Sequence, residues 1–350
     1  NSDTIFLFFT ALLALNYLSN TENNAADYVK FISYFGFYII GRTLIFQSQH
    51  STVLGYFSLA GLSALVSLAL SGSSYVTWGS IETFTGGYFF KTDLALSALI
   101  FLTFSFATLK NKALLFISLI FAAYLVFKSN ARIALPLIFA LPVFIILSRG
   151  KSAQNILTPR KALGIFSAAA LGMALFTFVD FRSMGMLGFD FSDPFSAANT
   201  QGRSVIWSAL LEAYGKASLF EQAFGMGLTA DAKATAIFSG SPFLEGTRAH
   251  NSYLYLLVCT GLIGSLIFYY LIYSIYSKCY YNFKKETSDR ITTISSSLLI
   301  IFLWMSMTTE IIIRPQLMIL LFFFSGLHVQ QYLKIRKKEF KERDENPACT

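Results

Sequence analysis

The feature that most constrains this chain is its series of long apolar runs. The run at 252–276 exceeds the roughly 18 residues that identify a membrane-spanning helix. We predict an all-α fold, a polytopic integral membrane helical bundle with about ten spans. The predicted spans are 4–18, 29–46, 53–70, 94–109, 113–127, 133–147, 163–178, 252–276, 291–307 and 315–333.

Composition supports this class. Hydrophobic residues make up 55% of the chain and charged residues only 13%. A soluble domain carries about 25% charged residues, so this chain has too little charge to cover a water-exposed surface of its size. The chain has three cysteines and no CxxC pair, so we expect free thiols.

The net charge of +8 comes from basic residues that lie between the apolar runs. With ten spans, four basic segments fall on one side, which the positive-inside rule identifies as the cytoplasm. Both termini are then cytoplasmic, and a nucleic-acid partner is not needed to explain the charge. The segments are Lys110 to Lys112, Arg149 to Lys161, Lys278 to Arg290, and Lys334 to Arg343.

The same count places segments 71–93 and 180–251 on the outer side. We therefore divide the chain into an N-terminal bundle of seven spans (1–179), an outer loop (180–251), C-terminal spans (252–333) and a basic cytoplasmic tail (334–350). Within the outer loop, helical spacing of apolar residues after Asn199-Thr200 predicts an amphipathic helix over 202–217. It includes Trp207, Leu210, Leu211 and Tyr214. The alternative is a helix that only covers the bundle.

Charged residues at the outer face of a membrane are costly and tend to mark function. Basic groups outnumber acids there, which indicates an anionic ligand such as a membrane-bound diphosphate. The alternative for each arginine is interface anchoring or pairing with an acid. The candidates are Lys91, Asp93, Arg132, Arg182, Arg203, Arg248, Glu310 and Arg314.

His250 stands where the outer loop enters the eighth span, next to Arg248 and Asn251. A histidine at such a border can act as a base near neutral pH; the alternative is a hydrogen-bonded cap. The chain has no Asp-x-Asp and no His-x-x-His pattern, and we expect no metal and no other cofactor.

Several short motifs resemble the O-antigen ligase and O-antigen polymerase superfamily. His250-Asn251, nine residues and then Gly261 and Gly264 resemble its H-N-x9-G-x-x-G signature. Arg203 with Trp207 is similar to its Arg-x-x-x-Trp segment, and Gly225-Met226-Gly227 follows as its Gly-x-Gly does. Upstream, 87–95 resembles an earlier outer motif, with Asp93 where Asn is more usual, and 129–132 resembles a Ser-x-x-Arg turn.

The resemblance implies a glycosyltransferase in the bacterial inner membrane, active on its periplasmic face. Its donor is a glycan on an undecaprenyl-pyrophosphate carrier, and its acceptor is lipid A-core sugar for a ligase or a growing glycan for a polymerase. The motif spacing favours the ligase slightly; a transporter or flippase is the alternative from another class. Relatives have about twelve spans, so we expect this chain to begin within a longer product.

The resemblance also implies roles for individual residues. Arg203 would hold the pyrophosphate, helped by Arg132, Lys91, Arg248 or Arg314. His250 would orient or deprotonate the acceptor hydroxyl, and Asn251 would fix its geometry. For Trp207, packing is favoured over stacking on a sugar, and Gly261 and Gly264 are expected to allow close helix packing.

Overall fold

The structure is a computed structural model that describes residues 2–20, 25–46, 48–78, 81–148, 158, 203–240, 246–285 and 290–345. Nearly all regular structure in these ranges is helical. The helices are α1 (Ser2–Ser19), α2 (Ala25–Thr43), α3 (Ser48–Leu70), α4 (Lys91–Thr108), α5 (Lys112–Ser129), α6 (Leu135–Ser148), α7 (Arg203–Lys216), α8 (Leu219–Phe224), α9 (Ala230–Phe238), α10 (Ser252–Lys285), α11 (Arg290–Met305) and α12 (Pro315–Glu345). Short 3-10 turns cover Arg132–Ala134 and Ile311–Ile313.

Within the described ranges, six helices are long and apolar enough to cross a membrane, namely α1, α3, α4, α5, α10 and α12. The shorter helices α6 and α11 are also apolar. Each of the eight overlaps a predicted span, and the predicted span 29–46 coincides with most of α2. The predicted span 163–178 lies outside the described residues, so the count of ten stays a prediction.

Large apolar side chains cover the outward faces of these helices. Phe8 is 65% exposed, Phe57 68%, Phe116 63% and Leu266 61%. Exposed apolar surface on this scale is unfavourable in water and is what lipid-facing helices present. The exposed faces therefore agree with the membrane class that the composition predicts.

Segment 71–93 contains a β-hairpin, which the all-α prediction did not include. Strand β1 (Tyr75–Trp78) pairs antiparallel with β2 (Ile81–Phe84), and Tyr75 lies opposite Phe84. The Phe84 side chain is fully buried, and its ring centroid lies 5.2 Å from that of Tyr75. Four-residue strands are too short to give a clear alternating pattern in the sequence.

The chain divides into two compact units, and the four segments expected from the sequence stay a prediction. The first unit comprises 1–33, 164–274 and 302–315, and the second comprises 34–163, 275–301 and 316–350. Segments distant along the sequence thus share a unit, because helices are grouped by packing and not by their order in the chain.

In the second unit, α4 lies between its neighbours and is buried along most of its length, with α3, α5 and α6 packed against it. Two glycines allow α2 and α12 to approach closely. A Cβ on Gly41 would lie 2.1 Å from the Phe323 carbonyl oxygen, and one on Gly326 would lie 2.2 Å from that of Tyr38. Small residues allow such backbone contacts between helices in membranes.

Residues from three of the predicted cytoplasmic segments make contacts within the second unit. Lys110 and Arg290 line the same cavity. Five residues before Arg290, Lys285 forms an ion pair with Glu339 of the tail, with Nζ 2.6 Å from Oε1. The basic segment 149–161 lies outside the described residues, apart from Thr158. That these segments face the cytoplasm stays a prediction.

Helix α7 confirms the amphipathic helix predicted over 202–217. Its buried face consists of Ile206, Ala209, Leu210 and Ala213, whereas Leu211 is 51% exposed. The buried stripe is therefore rotated slightly from the predicted one. The expected N-cap, Asn199-Thr200, lies outside the described residues.

Candidate functional site

Eight residues were assigned a catalytic or substrate-binding role from the sequence, and the first unit contains six of them. They are Trp207, Arg203, Arg248, His250, Asn251 and Arg314. The other two, Lys91 and Arg132, belong to the second unit. The hydrogen bonds of four of the six lie within the first unit, namely those of Trp207, Arg248, His250 and Asn251.

Asn251 begins α10. Its side-chain Oδ1 accepts hydrogen bonds from the backbone N–H groups of Tyr253 at 2.9 Å and Leu254 at 3.1 Å, as an N-cap does. Its Nδ2 donates to the Met307 carbonyl at 3.0 Å. The amide thus fixes where α10 starts relative to segment 302–315. Substrate contact by Asn251 stays a prediction.

Ser252 strengthens the same attachment. Its backbone N–H donates to the Ser306 carbonyl at 2.8 Å, and its Oγ donates to the Thr309 carbonyl at 3.0 Å. The Ile312 N–H in turn donates to this Oγ at 3.3 Å. These bonds hold the turn that contains Glu310 against the beginning of α10.

The two glycine motifs of the resemblance dock against each other. Gly261 interrupts α10 with φ +72° and ψ 179°, a conformation that only glycine adopts readily. The N–H groups of Met226 and Gly227 donate to the carbonyls of Val258 and Cys259 beside this break, at 3.1 and 3.2 Å. The Gly-x-Gly segment therefore occupies backbone acceptors next to the kink.

This docking requires the absence of side chains on both partners. A Cβ on Gly261 would lie 2.4 Å from the Ala223 carbonyl oxygen, and one on Gly225 would lie 2.2 Å from that of Cys259. Asn16 completes the contact, because its Nδ2 donates to the carbonyls of Phe224 at 2.9 Å and Cys259 at 3.3 Å. The prediction that Gly261 permits close packing is confirmed.

His250 has an unusual backbone. Its φ is +48°, in the left-handed region that non-glycine residues rarely adopt. The buried carboxylate of Glu310 accepts a hydrogen bond from the His250 backbone N–H. The second oxygen of Glu310 lies 3.7 Å from His250 Nδ1. One carboxylate therefore holds both the backbone and the ring of the histidine.

Burial and the neighbouring charges together lower the pKa of the His250 imidazole. Burial lowers the pKa of His250 below its usual value of 6.5; the negative charge of Glu310 opposes this effect, and the positive charges of Arg203 and Arg314 lower the pKa further. A neutral imidazole at pH 7 is able to accept a proton. The same observation places the two arginines within electrostatic range of the histidine.

Trp207 ties α7 to the segment that carries His250. Its Nε1 donates a hydrogen bond to the Ala249 carbonyl at 3.1 Å. Arg203 lies one turn before Trp207 in the same helix. The indole thus acts as a positioning group between helix and loop, in line with the packing role favoured from sequence, while sugar contact stays a prediction.

The positive charge of Arg248 is compensated by two acidic side chains. Its Nη1 donates to Asp231 at 2.9 Å and to the Leu228 carbonyl at 3.2 Å, and its Nη2 donates to Asp27 at 3.1 Å. Both carboxylates are buried, and burial raises the pKa of Asp231 to about 6 although Arg248 opposes the shift. Arg248 therefore joins α2, α9 and the loop before His250, and its charge is largely used within the protein.

Lys91 and Arg132 occupy defined positions in the second unit. Lys91 is the first residue of α4, and Arg132 begins the 3-10 turn that follows Asn130, whose φ is +53°. The Ser129 Oγ accepts a hydrogen bond from the Ala131 N–H at 3.3 Å, so the sequence 129–132 forms a turn. A substrate role for either cation stays a prediction.

Sequence reasoning missed Asp27 and Asp231, and it named Glu310 among the charged candidates but not as a partner of His250. The signal for all three was available, because each is an acid in or beside an apolar segment, where an ionisable side chain requires a partner. The identity of each partner could not be predicted, because Asp27 and Arg248 come together only when the chain folds.

Among the residues that the structure describes, no three His, Cys, Asp or Glu side chains cluster as metal ligands would. No family model, no curated protein and no solved structure matches this chain. The site must therefore be interpreted from its own chemistry.

Proposed function

We propose that this protein is a membrane glycosyltransferase of the O-antigen ligase type. It would move a glycan from undecaprenyl-pyrophosphate to lipid A-core sugar at the outer face of the bacterial inner membrane. The observation that carries the proposal is the combination at His250: an imidazole with a lowered pKa, beside the buried Glu310 and within the field of Arg203 and Arg314.

His250 supplies the base in this proposal. With Nδ1 turned towards Glu310 at 3.7 Å, Nε2 is the nitrogen that meets the acceptor hydroxyl. The proton of that hydroxyl passes to Nε2 as the acceptor oxygen attacks the sugar carbon. Glu310 stabilises the imidazolium that forms, as a carboxylate does for a catalytic histidine in other enzymes.

Arg203 and Arg314 supply the positive charge. As the bond between the sugar and the diphosphate breaks, negative charge develops on the departing undecaprenyl pyrophosphate. A guanidinium stays charged in apolar surroundings and binds phosphate oxygens through two N–H groups at once. The same two charges disfavour a protonated His250, so they keep the base in its active form. Arg248, bonded to two carboxylates, has a structural part in this proposal.

The substrates fit the rest of the molecule. A polyprenyl carrier needs an enzyme whose apolar surface faces lipid, and six described helices are able to cross a membrane. The proposed chemistry uses protein side chains alone and requires no cofactor.

The experiment is a lipopolysaccharide ladder from cells that lack this protein, complemented with wild type or with His250→Ala. We expect bare core and stranded lipid-linked polymer without the protein, rescue by wild type, and no rescue by His250→Ala. His50→Ala is the matched control, since His50 belongs to the second unit, and it should restore the ladder.

The ladder also separates the alternatives. Core capped with a single repeat unit in the deletion strain would identify a polymerase and overturn the ligase assignment. Full rescue by a membrane-inserted His250→Ala variant would overturn the base. Loss of lipid-linked glycan from the outer leaflet would indicate a transporter.

A further inference from the structure

The second unit contains a cavity of about 510 Å³ that lies far along the sequence from the catalytic motifs. It is lined by Lys110 and Asn111 between α4 and α5, by Thr52 and Tyr56 of α3, and by Arg290 at the start of α11. None of its lining residues is acidic. A positively charged cavity of this kind suits an anion.

Arg290 is held in place by hydroxyl groups. Its Nη1 donates to Ser51 Oγ at 2.6 Å and to Thr52 Oγ1 at 3.3 Å. These neutral partners fix the guanidinium without cancelling its charge. Lys110 adds a second positive charge from an exposed side chain.

Helix beginnings add to the positive potential. α5 starts at Lys112, directly after Asn111, and α11 starts at Arg290 itself. Thr52 lies in the second turn of α3, which starts at Ser48. The N-terminal ends of helices carry partial positive charge and backbone N–H groups that favour phosphate. Here they accompany two side-chain cations at one cavity.

Apolar helix faces continue from the cavity. On α3, Val53 and Phe57 directly follow Thr52 and Tyr56 and are each 68% exposed. On α5, Ile117 is 38% exposed and lies three residues beyond the cavity-lining Leu114, on the same helix face. A soluble anion would leave this apolar surface uncovered, whereas the acyl chains of a lipid would cover it.

We propose that this cavity binds the phosphate headgroup of an anionic phospholipid, whose acyl chains lie along α3 and α5. The proposal goes beyond the glycan transfer suggested for the first unit and does not depend on it. By the positive-inside rule, the lipid belongs to the cytoplasmic leaflet, where basic residues near the surface attract anionic headgroups.

The test is native mass spectrometry of the delipidated full chain in detergent, titrated with phosphatidylglycerol or with phosphatidylcholine of the same acyl chains. We expect phosphatidylglycerol to bind more tightly. Lys110→Gln and Arg290→Gln should each weaken its binding about fivefold, the effect of one basic charge near an anionic surface. Lys128→Gln, at the far end of α5, is the control and should leave binding unchanged.

Equal binding of the two lipids would overturn the proposal, as would unchanged phosphatidylglycerol binding in Lys110→Gln. Lys110→Gln keeps the test decisive even if Arg290→Gln harms folding through loss of its hydrogen bonds, because the Lys110 side chain is exposed. Displacement of the lipid by millimolar inorganic phosphate would identify the cavity as a site for a soluble anion instead.

Discussion

At the scale of single residues, the central observation is that Glu310 interacts with both the backbone and the ring of His250. Its carboxylate accepts the backbone N–H of a residue in the left-handed region, and it also faces the imidazole. A left-handed backbone at a non-glycine residue costs on the order of 1–3 kcal/mol, and such conformations persist where surrounding contacts impose them. Glu310 and the cap at Asn251 are contacts of this kind.

The first prediction concerns the pH dependence of activity. Because the pKa of His250 is lowered, the neutral base should persist below pH 6.5, and the acid limb of the rate profile should have its midpoint below that value. Arg314→Gln removes a positive charge, so it should raise this pKa and move the acid limb to higher pH. Glu310→Gln should move the limb to lower pH.

The measurement is the pH profile of the transfer rate for the three proteins. Arg314→Gln should also lower kcat by about 10²–10³, as loss of one transition-state charge contact does. A limb that does not move in either variant would show that His250 does not titrate in the reaction. A limb that moves in the same direction in both would contradict the assigned charges.

At the scale of elements, the site depends on a broken helix. α10 is interrupted at Gly261, and the Gly-x-Gly segment after α8 bonds to the carbonyls beside the break. The segment from Leu228 to Ala249, which carries Asp231 and Arg248, leads directly from this docking point to His250. The position of the histidine therefore depends on a glycine contact eleven residues along the chain.

The second prediction is that Gly261→Ala destabilises the protein. The new Cβ would lie 2.4 Å from the Ala223 carbonyl oxygen at a φ of +72°, so both the backbone and the docked segment must shift. We expect the melting temperature in detergent to fall by about 5–10 °C. Gly215→Ala is the control, since nothing lies within 4 Å of its added Cβ and its helix should be unchanged or slightly more stable. Equal melting of both variants would contradict the docking role.

Sequence patterns predicted most of the described elements but few of their contacts. Apolar runs predicted α1 to α6 and α10 to α12, because lipid selects apolar residues along a whole helix, and amphipathic spacing predicted α7. The hairpin at Tyr75–Trp78 was missed, since short strands carry little pattern. The pairing of Gly225 with Gly261, and of Asp27 with Arg248, arises only on folding, and no local pattern specifies it.

For the candidate site as well, the sequence predicted residues but not their contacts. His250, Arg203 and Arg314 were predicted from residue type and position at the outer face, and the charges of both arginines act on the His250 imidazole. Arg248 carried the same signal, yet it bonds Asp27 and Asp231. Charge alone does not distinguish a ligand-binding arginine from one paired within the protein.

At the scale of the whole molecule, apolar exposure and charge distribution describe a membrane protein with distinct sites in its two units. The first unit holds the histidine cluster and the second holds the basic cavity. The first unit is assembled from segments far apart in sequence, and Arg248 joins two of them through its bond to Asp27. Its ion pairs should therefore matter to the integrity of the unit as a whole.

The third prediction is that Arg248→Met lowers stability by about 3 kcal/mol, because it leaves the buried carboxylate of Asp231 without its cation, whereas Asp27 keeps its ion pair with Lys30. Lys216→Met is the matched control, since Lys216 pairs with Glu212 on the surface and should cost only about 0.3–0.5 kcal/mol. Thermal unfolding in detergent measures both. A variant of Arg248 with normal stability but a raised KM would instead restore the diphosphate-binding role predicted from sequence.

Reconstitution tests most directly whether His250 is the base in glycan transfer. Purified protein in liposomes would receive an undecaprenyl-pyrophosphate-linked glycan and a lipid A-core acceptor, and product would be followed over time. We predict transfer by wild type and by His50→Ala, and a rate lower by about 10²–10⁴ for His250→Ala with an unchanged melting curve. Transfer by folded His250→Ala at the wild-type rate would contradict the account.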